Sequence, residues 1–178
     1  TYYSLVAKEA VVAGASIVND ISAGSMDAEM ISTVASLNVP YVLMHMQGTP
    51  QTMQNEPVYE NVTKEILDFF IQKTAEFKKA GIKDIVVDLG FGFGKTIQHN
   101  FELLRNLSVF KMLNCPVLLG ISRKSFIYKT LNVSVEDSLN GTTALHFAGL
   151  TNGASILRVH DVKEAVETIE LISAYQHH

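Results

Sequence analysis

The sequence is poor in cysteine. Its 178 residues contain one cysteine, Cys115, and no tryptophan. A lone cysteine excludes a disulfide framework and a zinc site made of several cysteines. Basic residues are not in excess either, because the formal net charge is −4. A general nucleic-acid binder is usually basic, so we do not expect nucleic acid as a partner.

Long hydrophobic runs are also missing. No apolar stretch reaches the roughly 18 residues of a membrane-spanning helix, and no signal peptide precedes the predicted fold. Hydrophobic residues make up 47% of the chain and charged residues 18%, a balance typical of a folded domain. We therefore expect residues 1–178 to belong to a single cytoplasmic domain without membrane partners.

Short apolar segments rich in β-branched residues recur along the chain. They show no polar–apolar alternation, which is typical of strands buried on both faces in a parallel sheet. The five predicted strands are Ser16–Asn19, Tyr41–His45, Ile85–Asp88, Pro116–Gly120 and Ser155–Val159. Segments with helical spacing precede, separate and follow them, at Leu5–Ala13, Ala28–Leu37, Val58–Ala80, Asn100–Leu107, Val135–Gly149 and Asp161–Ala174. The sequence therefore predicts the order α(βα)5 and a parallel sheet.

Polar side chains stand at or just after the carboxyl end of every predicted strand. An open doubly wound sheet would concentrate such groups at one switch point, whereas a (β/α)8 barrel gathers them from many strands on one face. This distribution favours the barrel. Only five of its eight βα units are present and the chain starts within a unit. We therefore expect a barrel domain that is incomplete at its N-terminus, with the first three strands missing.

The segment VDLGFGFGKT contains three glycines, and we call its residues 89–95 the glycine-rich loop. A Walker A motif that ends at Lys95 and Thr96 would need its first glycine at position 89, which is Leu89. The dinucleotide-binding fingerprint would place its third glycine at Lys95. Both nucleotide-binding motifs miss by one residue, so the loop calls for another explanation.

Asp88 ends a predicted strand immediately before this loop. Its carboxylate is suited to accept two hydrogen bonds from the N–H and NH2 edge of a guanidine-like heterocycle, and a structural cap or a lysine partner is the alternative. Phe91 and Phe93 flank the loop, where either can cover a flat ring or pack beneath the loop. Asn19 suits an amide-bearing heterocycle or a phosphate oxygen, or else ties its own loop.

A second group of polar residues follows the fourth and fifth predicted strands. Lys124 is placed to contact a ring carbonyl or a phosphate, with Ser122 as a further donor, while Arg123 is interpreted as pairing with a surface carboxylate. Arg158 and His160 point to one side of a strand end, just before a helix. An arginine, an imidazole and a helix N-terminus together favour phosphate or pyrophosphate, and a buried salt bridge of Arg158 is the alternative.

Other polar residues are interpreted as structural. Asp20 is interpreted as a cap of its own loop, and His45 as a histidine that holds a loop carbonyl. Met44 is interpreted as packing, or as a residue beneath a bound ring. His99 and His146 are interpreted as helix or cap residues, and no cluster has the spacing of zinc ligands.

Six segments, in this order, resemble the dihydropteroate synthase family. They are VNDISAG, LMHMQGTPQTMQ, VDLGFGFGK, LLGISRKSF, NGTTALHFAG and LRVHDVKE, and they are spread along nearly the whole chain. The resemblance implies a (β/α)8 barrel and a reaction of folate synthesis. That reaction joins 4-aminobenzoate to dihydropterin-CH2 pyrophosphate and releases pyrophosphate. The resemblance also implies Mg²⁺ as a cofactor and a homodimer.

The resemblance further implies roles for particular residues. It assigns Asn19, Asp88, Lys124 and Met44 to the pterin pocket, Arg158 and His160 to the pyrophosphate, and Ser122 and Phe93 to the surroundings of the aminobenzoate. The mechanism it implies is one of positioning and electrostatics, without a covalent nucleophile. The family's metal-binding asparagine is expected upstream of Thr1, and Leu89 stands where the family usually has proline. We therefore expect no metal ligand in this segment and no useful turnover by the segment alone.

Two other functions stay open at this point. A pterin-binding methyltransferase of related barrel fold would share Asn19 and Asp88, but it has no need for Arg158 and His160, because no pyrophosphate leaves. A non-catalytic binding module would keep the fold without the chemistry.

Overall fold

The structure is a computed structural model, and it describes residues 1–48 and 57–177. Seven α-helices and five β-strands are the main elements of this described part of the chain, and one or two helices separate consecutive strands. The strands are β1 Val18–Asp20, β2 Tyr41–Met44, β3 Ile85–Asp88, β4 Val117–Leu119 and β5 Ile156–Leu157. The helices are α1 Ser4–Val12, α2 Met30–Leu37, α3 Val62–Lys79, α4 Ile97–Arg105, α5 Ser125–Leu131, α6 Leu139–Thr151 and α7 Val162–His177. A 3-10 helix at Leu107–Leu113 follows α4, and another at Glu136–Ser138 directly precedes α6.

The five strands form one parallel sheet whose order, β1-β2-β3-β4-β5, is also their order in the sequence. A doubly wound sheet reverses its strand order at a switch point, whereas the wall of a barrel does not. No reversal occurs among the described strands. The carboxyl ends of all five strands therefore lie at one end of the sheet, as the barrel interpretation requires.

One face of the sheet packs against the helices. Alternate strand residues, among them Leu43, Val87 and Leu119, belong to the same hydrophobic core as the buried faces of the helices. Tyr41 of this set lies against Phe77 of α3, with the two ring centroids 5.0 Å apart. The helices therefore anchor every second residue of the strands, and the intervening residues point the other way.

The opposite face carries the residues that alternate with this core. The strand register pairs Met44 with Asp88, and Asp88 with Leu118. Met44 and Leu118 are buried, but neither belongs to the core shared with the helices. We call this the site face, because it presents Asp88 at the carboxyl end of β3.

The register places two further polar residues on the site face. Asn19 pairs with Val42, which lies two residues before Met44 on the same strand. Arg158 follows Ile156 by two residues, and Ile156 pairs across the sheet with Leu118 of the site face. Because residues two apart in a strand point to the same side, Asn19 and Arg158 share this face.

Helix α3 begins four residues later than the predicted start at Val58, and its first turn explains why. The side chain of Asn61 accepts a hydrogen bond from the Lys64 N–H at 2.9 Å. The Glu65 carboxylate in turn accepts from the N–H of Asn61 at 3.0 Å and from that of Glu60 at 2.8 Å. These bonds satisfy the N–H groups of Asn61 and Lys64, two of the free donors at the helix start, so the helix starts after Asn61.

The crossover between β4 and β5 differs from the prediction. The sequence predicts one helix there, Val135–Gly149, and this is wrong because α5 and α6 both lie in the crossover. Helix α5 ends at Asn132, which has the left-handed φ of 54°. Its seven residues give two turns, too few for a clear helical period. Within the described ranges, none of the helices combines the length and apolar character needed to span a bilayer.

Candidate active site

Asp88 ends β3 and is only 3% exposed. Its Oδ1 accepts a hydrogen bond from the backbone N–H of Gly90 at 2.8 Å. Burial raises the pKa of the Asp88 carboxyl group, whereas the Gly90 N–H and nearby cations lower it. Those cations are Lys124, Arg158 and Lys95. Asp88 is therefore a hydrogen-bond acceptor at the end of the sheet, within electrostatic reach of three positive charges.

Lys124 lies over the glycine-rich loop. Its Nζ donates a hydrogen bond to the backbone carbonyl of Phe91 and stands 4.7 Å from the centroid of the Phe93 ring. Burial is the largest cause that lowers the pKa of Lys124 to about 8, and the charge of Arg158 adds to it. The charge of Asp88 acts in the opposite direction. Lys124 thus links the glycine-rich loop to the end of β4, and its charge interacts with that of Asp88.

A cavity of about 240 Å³ opens beside Lys124 at the ends of β4 and β5. We call it the basic pocket, and it is lined by Gly120, Ser122, Lys124, Arg158, Val159 and His160. A lysine, an arginine and an imidazole in one small cavity are suited to bind phosphate or diphosphate. The pocket also lies just before α7, whose N-terminal N–H groups favour an anion.

Two contacts shape the basic pocket. Arg158 lies across Gly120, where a Cβ atom would come within 3.4 Å of the guanidinium Nε. Ser122 Oγ lies 2.9 Å from His160 Nδ1 and accepts a hydrogen bond from the His160 backbone N–H at 3.2 Å. Ser122 therefore orients the imidazole, and its own contacts are on the side of the anion pocket.

Arg123 is adjacent to Ser122 but serves another purpose. Its guanidinium donates to both carboxylate oxygens of Asp161 at 2.8 Å, and to the carbonyls of Val135 and Glu136. These bonds tie the end of β4 to the residue before α7. The interpretation that Arg123 pairs with a carboxylate is confirmed, and the pair holds the start of α7 beside the basic pocket.

Asn19 and Asp20 end β1 in different surroundings. Asn19 is half-buried on the site face, and its side-chain amide makes no hydrogen bond within the described residues. Asp20 is fully buried and accepts from the Ser22 N–H at 2.8 Å and from the Tyr41 hydroxyl at 2.6 Å. The interpretation of Asp20 as a cap of its own loop is therefore confirmed. The Asn19 side-chain amide, by contrast, is not used by the described part of the chain.

Residues 1–160 match the family described as pterin binding enzyme. The chain belongs to this family. It is 42% identical over 171 residues to the dihydropteroate synthase of Escherichia coli, and 41% identical over 173 residues to that of Haemophilus influenzae. These matches cover 95% and 96% of this chain but 60% and 62% of the two relatives. The chain thus spans about 60% of the length of these curated relatives.

Solved structures of dihydropteroate synthases resemble this chain closely. The dihydropteroate synthase of Yersinia pestis in a sulfonamide drug complex gives a TM-score of 0.95 at 37% identity, covering 99% of this chain and 65% of that one. That of Xanthomonas albilineans in complex with 7,8-dihydropteroate gives a TM-score of 0.91 at 35% identity, with coverage of 99% and 65%. The five βα units therefore have the fold of the corresponding part of these enzymes.

One buried charged residue of this chain was not predicted. Lys95, which ends the glycine-rich loop, is only 6% exposed. Its Nζ lies 3.1 Å from His45 Nδ1 and donates to the carbonyls of Gly90 and Phe93, both at 3.0 Å. Burial, the largest cause in each case, lowers the pKa of Lys95 to about 7 and that of His45 to about 3. Lys95 thus holds the loop carbonyls. The interpretation that the His45 ring holds a loop carbonyl is wrong, because that ring contacts the Lys95 ammonium instead.

The two phenylalanines of the loop take different places. Phe91 is fully buried and stacks against Phe126, with ring centroids 6.3 Å apart. Phe93 is partly exposed beside Lys124. Of the two alternatives for this pair, packing therefore holds for Phe91, while Phe93 keeps a ring face at the site. Met44 is buried on the site face beside Asp88.

His99 and His146 lie outside the site. His99 and Thr96 form a capping box at the start of α4, which confirms the cap interpretation of His99. His146 is buried within α6, as interpreted, and burial lowers its pKa. Neither lines the basic pocket.

The described residues do not form a magnesium site by themselves. Between residues 1–48 and 57–177, no group of three or more His, Cys, Asp or Glu side chains is placed to hold a metal ion. The basic pocket presents positive charges, which repel a bare cation.

Proposed function

We propose that the full-length protein containing this chain is a dihydropteroate synthase, which condenses 4-aminobenzoate with dihydropterin-CH2 pyrophosphate. The observation that carries the proposal is the common position of Asp88, Lys124 and the basic pocket at one end of the sheet. The Asp88 carboxylate, which can accept hydrogen bonds from a heterocycle, thus lies next to a pocket that can bind the leaving diphosphate. Two structures of the Xanthomonas albilineans dihydropteroate synthase, one with 7,8-dihydropteroate and one with 4-aminobenzoic acid, support the same interpretation.

In this proposal the pterin lies on the site face. The Asp88 carboxylate accepts hydrogen bonds from the N–H and NH2 edge of the ring, and the Lys124 ammonium donates to the ring carbonyl. The Asn19 amide provides a further donor and acceptor, and Met44 packs beneath the ring. Because Asp88 is buried, water competes weakly for this edge.

The basic pocket receives the diphosphate of the substrate. Arg158 donates to the phosphate oxygens, and Ser122 orients His160 toward the same anion. As the bond between the CH2 carbon and the diphosphate oxygen breaks, negative charge accumulates on the diphosphate and positive charge spreads into the electron-rich ring. Fixed donors that stabilise the developing anion lower the barrier of this step.

The aromatic amine then forms the new C–N bond to the CH2 carbon and loses a proton. Phe93 presents a ring face beside Lys124, where the aminobenzoate ring is held. The amine is a competent nucleophile, so positioning is the main requirement and no covalent intermediate with the enzyme is needed.

We further propose that upstream strands close the described sheet into a (β/α)8 barrel that forms a single domain. Residues 1–178 would then be the carboxyl-terminal part of that domain. Magnesium is the cofactor that the resemblance implies, and we place its protein ligand upstream of Thr1. A homodimer in the cytoplasm is the corresponding assembly and location.

The proposal is tested by incubating the full-length protein with both substrates and measuring 7,8-dihydropteroate and released pyrophosphate. We expect both products in equal amounts. Tight binding of methyltetrahydrofolate without competition by pyrophosphate would instead indicate the methyltransferase. Failure of folded protein to bind the pterin pyrophosphate in calorimetry would leave a non-catalytic module.

A further inference from the structure

The Lys95 side chain turns back beneath the glycine-rich loop. Its Nζ donates to the carbonyls of Gly90 and Phe93 at 3.0 Å and to that of His45 at 3.4 Å, besides its contact with the His45 ring. A buried ammonium group is costly unless its hydrogens are bonded. The carbonyl cage meets this need, and it connects two parts of the loop to the end of β2.

The glycine-rich loop has little stiffness of its own. Gly90, Gly92 and Gly94 have φ values of 65°, 80° and 63°, a region that glycine adopts freely, and the loop contains no proline. A Cβ on Gly90 would lie 1.8 Å from the carbonyl oxygen of His45, and one on Gly94 would lie 2.5 Å from that of Gln47. The loop is therefore pressed against residues 45–47, and tertiary contacts decide where it sits.

The same contacts determine where Phe93 stands. The Gly90 carbonyl accepts from Lys95 and also from the Phe93 N–H at 2.9 Å. The Gly90 N–H donates to Asp88. Lys95 thus acts on a turn that begins at the pterin-binding carboxylate and ends at the ring of Phe93.

We propose that Lys95 is a positioning residue that clamps the glycine-rich loop onto the end of β2 and so holds Phe93 in the aromatic-amine half of the site. The inference rests on the proposed function, which names that amine. Lys95 does not line the basic pocket, and its charge acts on Asp88 less than those of Lys124 and Arg158 do, so its main effect passes through the loop. Asp88 is held by its own strand, so the pterin half depends less on the clamp.

The test uses Lys95→Met in the full-length protein, because methionine keeps an apolar stem and removes the ammonium group. We expect the KM for 4-aminobenzoate to rise about ten-fold or more, while the KM for the pterin substrate changes little. Lys95→Arg should recover part of the loss. Lys129→Met, at an exposed lysine of α5, is the matched control and should leave both constants unchanged.

A second variant reaches the loop without touching Lys95. Gly94→Ala brings a Cβ against Gln47 and should also raise the KM for 4-aminobenzoate selectively. Gly14→Ala is its control, because Gly14 has a φ of 106° but no atom within 4 Å of the added Cβ. Equal changes in both KM values, or a lower melting temperature with unchanged KM values, would overturn the proposal.

A readout without turnover separates this inference from the proposed function. Phe93→Trp introduces a fluorescent reporter into a chain that has no tryptophan. We compare acrylamide quenching of this variant with and without Lys95→Met, taking any upstream tryptophan as a constant background. Greater quenching in the double variant supports the clamp even if the protein makes no dihydropteroate. Unchanged quenching would refute the clamp even in an active enzyme.

Discussion

At the scale of single residues, the site depends on buried charged groups, whose burial is unfavourable unless they have partners. Asp88 is 3% exposed and Lys95 is 6% exposed. Each charged group is tolerated in the interior because neighbouring backbone groups and opposite charges compensate for its lost hydration. Removing one partner therefore changes binding or stability more than the same change at the surface.

Asp88→Asn in the full-length protein is expected to weaken pterin binding by about 2–3 kcal/mol, because it removes a charge-assisted pair of hydrogen bonds. Isothermal titration with the pterin pyrophosphate measures the loss. Asp84→Asn, just before β3, is the matched control at the other end of the strand. Near-normal affinity of the Asp88 variant would remove this residue from the pterin pocket.

Arg158→Ala is expected to weaken the binding of pyrophosphate more than that of 4-aminobenzoate. The reason is that the guanidinium lines the basic pocket and supplies paired donors for phosphate oxygens. Competition by pyrophosphate and by 4-aminobenzoate is measured separately, with Arg105→Ala, at an exposed arginine of α4, as the control. Equal weakening of both ligands would assign Arg158 a structural role.

His45 is expected to make stability depend on pH. Its pKa is lowered from 6.5 to about 3 by burial and by Lys95. Between these values the unfolded chain binds a proton that the folded chain excludes, so stability falls as the pH drops below about 6.5, by up to roughly 1.4 kcal/mol per pH unit.

Urea unfolding between pH 7 and pH 5 measures this slope, which His45→Gln should reduce. In NMR spectra the ring nitrogens of His45 should keep the shifts of a neutral imidazole from pH 8 to pH 5. A titration near pH 6.5 would show that the ring is exposed to water.

At the scale of the elements, close packing of α6 on β4 supports the strand that leads to the basic pocket. A Cβ on Gly149 of α6 would lie 2.2 Å from the Cδ2 atom of Leu119, which is fully buried. Glycine is unfavourable inside a helix, by about 1 kcal/mol relative to alanine. Its presence here is explained by the approach of the helix to the sheet.

Gly149→Ala is therefore expected to destabilise the protein by about 1–3 kcal/mol, despite the better helix propensity of alanine. Urea denaturation measures the change in the free energy of unfolding, if the dependence of that free energy on urea concentration is the same in both proteins. Asn140→Ala, at an exposed position of the same helix, is the comparison, because it raises helix propensity without adding a buried contact. A stabilised Gly149 variant would show that the packing can relax.

At the scale of the whole molecule, the described sheet ends at β1 and β5. Open edges of a parallel sheet invite aggregation, and a barrel removes them. We expect residues 1–178 expressed alone to show no turnover under conditions where the full-length protein is active. Side-by-side assays with size-exclusion chromatography check this, and an active monomeric segment would contradict the proposed barrel.

Pattern alone predicted the strands and the long helices, because burial on both faces and helical periodicity leave marks in the sequence. Strand β3 has the predicted bounds, whereas β1 and β5 are displaced or shorter. Helix α5 was missed because it is too short to show a period. The start of α3 depends on a cap at Asn61, whose local hydrogen bonds override the apolar pattern.

By itself the sequence determined the parallel βα order and the polar residues that follow each strand. It did so because residue type and spacing decide which segments are buried. The tertiary structure alone decided that Asn19, Asp88 and Arg158 share one face, since strand register is a long-range property. It also decided that Lys95 lies beneath the loop. A buried lysine and a solvated one look the same in sequence, and only the carbonyls brought around it by folding make burial possible.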